Sequence, residues 1–491
     1  MTIMNVPKLM ATQHPDSTIV FTAQEEVKEA IEDVLPLERG GRGCDEKMID
    51  YEGKATPYNQ IRAVIEESKY YDLVPGEDFL ITPRIPNPRL EDKDRHLLTI
   101  TAAITANMYS QLYFDTNAVK YLILPMSSST LELAEVQRRI IKVQRLVSEE
   151  FSLRGDEIVR LIPLFETAES HMHIDEIIEG LRVALIKEVG LVERDFRIFV
   201  GKSDSAINSG HLASSIAIKM ALLKMWRWQE DTMFRSFPIV GMGKPPMRGH
   251  MAEWVKEDWV EAWKGYYTAT VQSALRFNTN RIEYVSTILK VMEGRGRKPD
   301  LSQLNDQETL VRIAWRASEK YTENIDKLAE HISFMAKLVI GTRARLETYK
   351  RKAKTGKELP RAIRFCAALY SMGLGPTIIG ASVIDELAKG RGELLSLLLK
   401  FLPLLKKDWG YDLHLTDLET FKRYVDEKTF EKIKKDVETI REYLGDLPTP
   451  RELPEEYFEL LRDVRNAIES SDISRAKANI VKLAELRGFL G

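Results

Sequence analysis

Cysteine is nearly absent from this 491-residue chain: Cys44 and Cys366 are the only two, and no Cys-x-x-Cys spacing occurs. A disulfide framework and a four-cysteine zinc site are thereby excluded. Long apolar runs are also missing, none approaching the roughly 20 residues that span a bilayer. Residues Met1 to Gln24 lack the layout of a signal peptide. Neither sign of charge dominates, since 71 Lys and Arg against 74 Asp and Glu leave a formal net charge of −3. That balance argues against a nucleic-acid or polyanion binder. No internal repeat or low-complexity tract interrupts the chain. The expected setting is soluble, reducing and cytoplasmic, with neither membrane nor nucleic acid as partner.

What is present is a globular composition, 44% hydrophobic and 30% charged. The charged share resembles the ion-pair-laced surface of a heat-adapted protein. Up to about residue 290, short β-rich apolar runs alternate with helical stretches. Eight strands are expected, at Lys8–Thr12, Lys47–Asp50, Phe79–Thr82, Tyr121–Pro125, Val159–Leu164, Phe196–Val200, Pro238–Gly241 and Thr268–Ser273. Thr22–Leu35 reads as an amphipathic helix, with Val27, Ala30, Ile31 and Val34 on one face and a Thr22/Glu25 capping box. Eight strand–helix units imply a closed (β/α)8 TIM-like barrel. A doubly wound open sheet is the rival, but no glycine fingerprint follows the first strand. After residue 300 the strands stop. Leu304–Lys352 reads as helix, and helices continue to the end, with a Pro-rich turn at Leu447–Pro454. The expected organisation is a barrel over 1–300 and an all-helical portion over 301–491, packed on it as one continuous unit.

In such barrels chemistry gathers where strands end. The strand ends here carry His14 and Asp16, Asp50, Glu52 and Lys54, Arg84, Glu166, then Lys202 and Asp204, then Lys244 and Arg248. Two carboxylates from neighbouring strands suit a hard cation such as Mg2+ or Mn2+ that keeps positions open for water and substrate. Arginines and lysines around them suit a phosphorylated or carboxylated anion. A lone histidine on the same rim can move a proton near neutral pH. The residues alone thus describe metal-assisted chemistry on a small anion.

Six segments narrow this. Thr12-Gln13-His14-Pro15-Asp16, Pro163-Leu164-Phe165-Glu166-Thr167, Gly201-Lys202-Ser203-Asp204-Ser205, the loop ending Met247-Arg248-Gly249, Gly341-Thr342-Arg343 and Leu359-Pro360-Arg361-Ala362-Ile363 occur in this order. Together they resemble the motifs of phosphoenolpyruvate carboxylases, and the short chain with Gln13 before His14 is similar to the archaeal type. The resemblance implies Mg2+ (or Mn2+) held by Glu166 and Asp204, with His14, Arg248, Arg343 and Arg361 catalytic. It also implies phosphoenolpyruvate and bicarbonate as substrates, and a homotetramer. Two departures stand out. Ile207 replaces a lysine found in the longer enzymes, and Val240-Gly241-Met242-Gly243-Lys244 replaces a His-Gly-Arg-Gly-Gly run. Lys54, Lys202 or Lys244 is expected to restore the lost charge, with Arg84 also binding substrate.

Other readings compete at several positions. Another metal-dependent lyase or aldolase on a phosphoenolpyruvate/pyruvate-type barrel would use the same metal and arginines, though not the His14 motif. A non-catalytic anion binder would use Lys350–Lys357 and Gly40–Arg42. His171 and His173 read as solvated residues opening a helix, and Asp50 and Glu52 as either metal-site groups or structural ion pairs. The Gly40–Gly43 run reads as a turn, the Trp254–Trp263 stretch as packing surface, and Lys350–Lys357 as a lid that excludes water.

Overall fold

The structure, a computed structural model, describes residues 6–52, 54, 59–154, 157–343, 351–352, 356–389, 392–450 and 453–491. All eight expected strands are present. They are β1 (Leu9–Ala11), β2 (Glu46–Lys47), β3 (Leu80–Ile81), β4 (Tyr121–Leu124), β5 (Arg160–Phe165), β6 (Asp195–Gly201), β7 (Arg235–Gly241) and β8 (Thr268–Val271). They form one parallel sheet in the order β3-β2-β1-β8-β7-β6-β5-β4. The two ends meet where Ile123 donates to Pro83 O at 2.8 Å and Ile85 donates to Ile123 O at 2.9 Å. The sheet is therefore a (β/α)8 barrel.

The period of two along each strand separates inside from outside. On β6, Phe196, Ile198 and Val200 face the outer layer, while Phe199 packs inside with Met10, Ile123, Leu164 and Ile239. Arg197 points inward as well. It pairs with Glu46 of β2 at 2.7 and 2.8 Å across the barrel, beneath the ring of Tyr121 at 4.8 Å. The helix Glu25–Val34 begins as its sequence foretells, with Thr22 N donating to Glu25 Oε2 at 2.7 Å and Glu25 N donating back to Thr22 Oγ1 at 3.4 Å.

The later helices pack over the carboxyl end of the barrel. Ala206, Ile207, Met247 and Ala274 from the barrel join Ile325, Leu328, Phe365, Leu461, Leu483 and Phe489 in one buried cluster. Leu490 N donates to Asp16 O at 2.7 Å, bringing the last helix's exit to the strand ends. Among the described residues, no helix is long and apolar enough to cross a membrane. The expected Pro-rich turn lies between the helices Glu427–Leu444 and Glu455–Glu469.

Two expectations need correction. The helix expected over Leu304–Lys352 runs only from Gln307 to Ala336. Beyond it Thr342 O accepts the Phe21 N–H at 3.0 Å, so tertiary hydrogen bonding draws the chain to the barrel mouth instead. Most of the Lys350–Lys357 stretch read as a lid lies outside the residues whose side chains are described. The strands expected to stop after residue 300 include one further pair, Arg351–Lys352 antiparallel to Glu358–Leu359.

The pair inside the barrel generates a test. Arg197→Met should cost about 3–5 kcal/mol by leaving Glu46 buried and uncompensated. Adding Glu46→Leu should recover much of that loss, measured by denaturant unfolding. Equal stability of the single and double variants would show the pair is not coupled.

Candidate active site

The strand ends open on a cavity of about 170 Å³. His14, Arg84, Glu166, Asp204, Arg248, Arg343 and Arg361 all line it, brought together from positions far apart in the chain.

Glu166 closes β5, and its Oε2 accepts the Met126 N–H at 2.9 Å. Asp204 sits in the first turn of Lys202–Ser209, entered from β6 through Gly201. A Cβ on Gly201 would lie 3.1 Å from Glu166 Cγ and 3.2 Å from Leu164 Cδ1, so glycine is what lets the glutamate lie against this turn. Burial, then the Asp204 and Glu52 charges, push the Glu166 carboxyl up to about 8. Two deep carboxylates that repel one another and offer only oxygen donors fit a hard divalent cation. No cluster of three or more His, Cys, Asp or Glu with metal-holding geometry exists among the described residues. Further coordination would therefore fall to water or substrate oxygens.

The arginines are held by carboxylates. Arg84 makes a bidentate pair with Asp50 at 2.9 and 2.7 Å and reaches Glu52 at 2.9 Å. Arg361 meets the other oxygen of Glu52 at 2.8 Å. Asp50 and Glu52 thus orient arginines, and Asp50 also lines the cavity. Arg343 lines the cavity, yet its guanidinium binds Glu26 at 3.0 Å and Glu29 at 2.6 Å. Arg248 donates to Ser203 Oγ at 3.0 Å, Gln272 Oε1 at 2.5 Å and Gly491 O at 2.6 Å, and pairs with Asp16 at 3.2 Å.

His14 is part-exposed where it lines the cavity, with Nδ1 2.7 Å from Thr12 Oγ1. Burial of its ring, reinforced by Arg84 and Arg248, holds its pKa well below the ordinary imidazole value. The ring is therefore neutral at pH 7, the form that accepts a proton.

The three lysines expected to bind substrate do not line the cavity. Lys54 pairs with Glu26 at 2.6 Å, and Lys244 binds Thr279 Oγ1 at 2.9 Å and Glu253 at 3.3 Å. Lys202 donates to His211 O at 3.2 Å and to Ser214, and burial brings its pKa down to about 7. Lysine stems long enough to reach the rim instead turn into the packing, where buried acceptors hold them. Ile207 lies in the apolar seam under the later helices and presents nothing to the cavity. His171, expected in solvent, is fully buried with Nε2 2.9 Å from Phe165 O; His173 is exposed.

Arg364 and Leu490 are among the lining residues that escaped the sequence reading. Arg364 follows Arg361 by one helical turn, a spacing visible once the helix Ala362–Ser371 is known to begin there. Leu490 reaches the cavity only through the path of the last helix, for which no local signal exists.

The family model for phosphoenolpyruvate carboxylase matches residues 6–491. The chain is 37% identical to the phosphoenolpyruvate carboxylase of Pyrobaculum islandicum, over 99% of this chain and 100% of that protein. It is 35% identical to that of Thermofilum pendens over the same shares, and 33% to that of Methanosarcina acetivorans over 89% of each. The cavity of carboxylates, arginines and one neutral histidine accordingly sits in a chain that belongs to the phosphoenolpyruvate carboxylase family.

Proposed function

We propose that the cavity carboxylates phosphoenolpyruvate with bicarbonate, giving oxaloacetate and inorganic phosphate, with Glu166 and Asp204 holding Mg2+ or Mn2+. The observation that carries this reading is the convergence of the two carboxylates, neutral His14 and a ring of arginines on one cavity at the strand ends. The family resemblance extends the reading to a homotetramer in the cytoplasm.

A bicarbonate oxygen bonds to phosphorus while the phosphorus–enol oxygen bond breaks, forming carboxyphosphate and the enolate of pyruvate. Glu166 and Asp204 would hold a divalent cation, which when bound would supply Lewis-acid charge stabilisation. Arg248 and Arg361 neutralise charge spreading over the phosphoryl oxygens, and Arg84 orients Arg361 through their shared Glu52. Arg343, tied to Glu26 and Glu29, acts through its field rather than by direct contact. His14 takes the carboxyphosphate proton, and carbon dioxide and phosphate separate. The enolate carbon then bonds to carbon dioxide. Met48, Leu164, Phe199, Ile340, Ile363 and Leu490 give the cavity an apolar wall, which keeps water from protonating the enolate to pyruvate.

Oxaloacetate formation, followed by coupling to malate dehydrogenase and NADH loss, should depend on bicarbonate and vanish in Glu166→Ala and Asp204→Ala. A folded, metal-loaded protein that makes no oxaloacetate would shift the reading to another lyase of this barrel type.

His14→Asn should lower oxaloacetate formation by about 10²–10⁴-fold. Bicarbonate-dependent release of phosphate should persist, because phosphoryl transfer precedes the proton step and carboxyphosphate that leaves the site decomposes in water. Parallel loss of both products would remove His14 from the role assigned to it.

Because the folded Glu166 pKa is raised from 4.5 to about 8, the native state holds this proton more tightly than the unfolded chain. Its contribution to stability falls as pH rises from about 4.5 to about 8. Metal binding must displace the same proton. Mn2+ should therefore raise the melting temperature more at pH 8.5 than at about pH 6. Glu166→Gln should stabilise the metal-free protein at alkaline pH while abolishing the Mn2+ effect. A metal-induced shift independent of pH would contradict the assignment.

A further inference from the structure

Behind the cavity, two histidines from separate elements meet at one carboxylate carried by a third. Asp408, on the helix Leu405–His414, is buried and does not line the cavity. Its Oδ2 lies 3.0 Å from His211 Nε2 and its Oδ1 lies 2.6 Å from His250 Nδ1. Burial opposes ionisation of Asp408, yet the two imidazole partners outweigh it and hold the carboxyl down to about 2. An ionised carboxylate only accepts, so both facing ring nitrogens carry the proton.

Each histidine belongs to an element that reaches the site. His211 opens the helix His211–Thr232, directly after the short helix bearing Asp204. His250 lies two residues after Arg248. The loop between is tightly wound, with Gly249 at φ 114° and His250 at φ 56°. Gly243 N donates to Arg248 O at 2.8 Å, and Met251 N donates to Gly243 O at 2.9 Å. A non-glycine residue keeps a left-handed φ only where its surroundings impose it. Those surroundings are Asp408, Trp254 and Tyr411; the Trp254 and Tyr411 rings each pack edge-on against His250 at 5.3 Å, and Tyr411 lies on the same helix as Asp408. Arg248, carried by the same loop, reaches Gln272 and Asp16.

We propose that Asp408 is a positioning residue for the carboxylation: through His250 it fixes the loop that delivers Arg248, and through His211 it ties that loop to the segment that carries Asp204. One carboxylate thereby sets the placement of the phosphoryl-facing arginine relative to the metal-facing aspartate. The inference rests on the reading of Arg248 as the substrate-facing cation.

The test uses the full chain, four single variants (Asp408→Asn, His250→Gly, His250→Asn and Arg248→Lys) and the Arg248→Lys/Asp408→Asn double variant. Glycine accepts the positive φ but removes the donor. Asparagine tolerates that φ and places an amide N–H near the position of Nδ1–H. His250→Gly and Asp408→Asn should lower kcat about tenfold or more, because small misplacements of a catalytic group are costly. The KM for phosphoenolpyruvate should move by less than about threefold. His250→Asn should restore most of kcat. In the Arg248→Lys background, Asp408→Asn should have little further effect, since the group being positioned is already altered.

Wild-type kcat in His250→Gly would overturn the proposal, as would a His250→Asn variant no better than His250→Gly. So would an Asp408→Asn penalty of equal size in both backgrounds. If Asp408→Asn fails to fold, the two His250 variants decide the matter. Wild-type kcat in Arg248→Lys would remove the reading of Arg248 and the clamp with it. A strong loss there, beside an unaffected His250→Gly, would sink the clamp alone.

Discussion

Glu26, Glu29 and Asp33 form a buried acidic face on the helix Glu25–Val34, and the cations that neutralise them come from distant parts of the chain. Lys47 at the end of β2 binds Asp33 at 2.6 Å, and Lys54 binds Glu26 at 2.6 Å. Arg276, just past β8, reaches Glu29 at 3.1 Å, and Arg343, beyond the long helix Gln307–Ala336, binds both Glu26 and Glu29. Removing a charge from water costs several kcal/mol per ion unless a partner meets it. These contacts must therefore form together, and in forming they fasten β2, β8 and the chain leaving the long helix to the first helix of the barrel. The mouth of the cavity is shaped by that requirement.

Against this background of matched charge, the Glu166–Asp204 pair is an exception. The two carboxylates repel each other, and burial compounds the cost, so Glu166 holds a proton to about pH 8. His14 shows the opposite response to the same surroundings, kept neutral by burial and by neighbouring arginines. One environment thus pushes a carboxyl up and an imidazole down, leaving a site suited to a divalent cation beside a base suited to a proton. Elsewhere in the mouth, carboxylates orient arginines: Glu52 links Arg84 to Arg361.

Strand positions were legible because the inward and outward faces of the barrel are both apolar in patches, and turn residues bracket each run. The Thr22–Glu25 box was legible because both partners are three residues apart and bond as their chemistry dictates. Other features were not. The run from Leu304 to Lys352 reads as one helix, yet the helix ends at Ala336 and the chain beyond it is held at the barrel mouth, where Thr342 O accepts from the distant Phe21 N–H. His171 carries a polar label but lies against Phe165 O in the core. The direction of a lysine is equally hidden, since Lys202 and Lys244 stand at strand ends and still turn away from the cavity.

By itself the sequence determined the barrel, the order of its strand-end motifs and the residue types at its rim, because strand periodicity and short motifs are local properties of the chain. The tertiary structure decided which of those charged groups face the cavity, which are consumed by buried partners, and that Arg364 and Leu490 belong to its lining. It also decided that Asp408 stands behind Arg248, joining His211 and His250. The physical reason is the same in each case. Side chains far apart in sequence are paired by the cost of burying charge, and that cost is set only when the whole chain has closed around them.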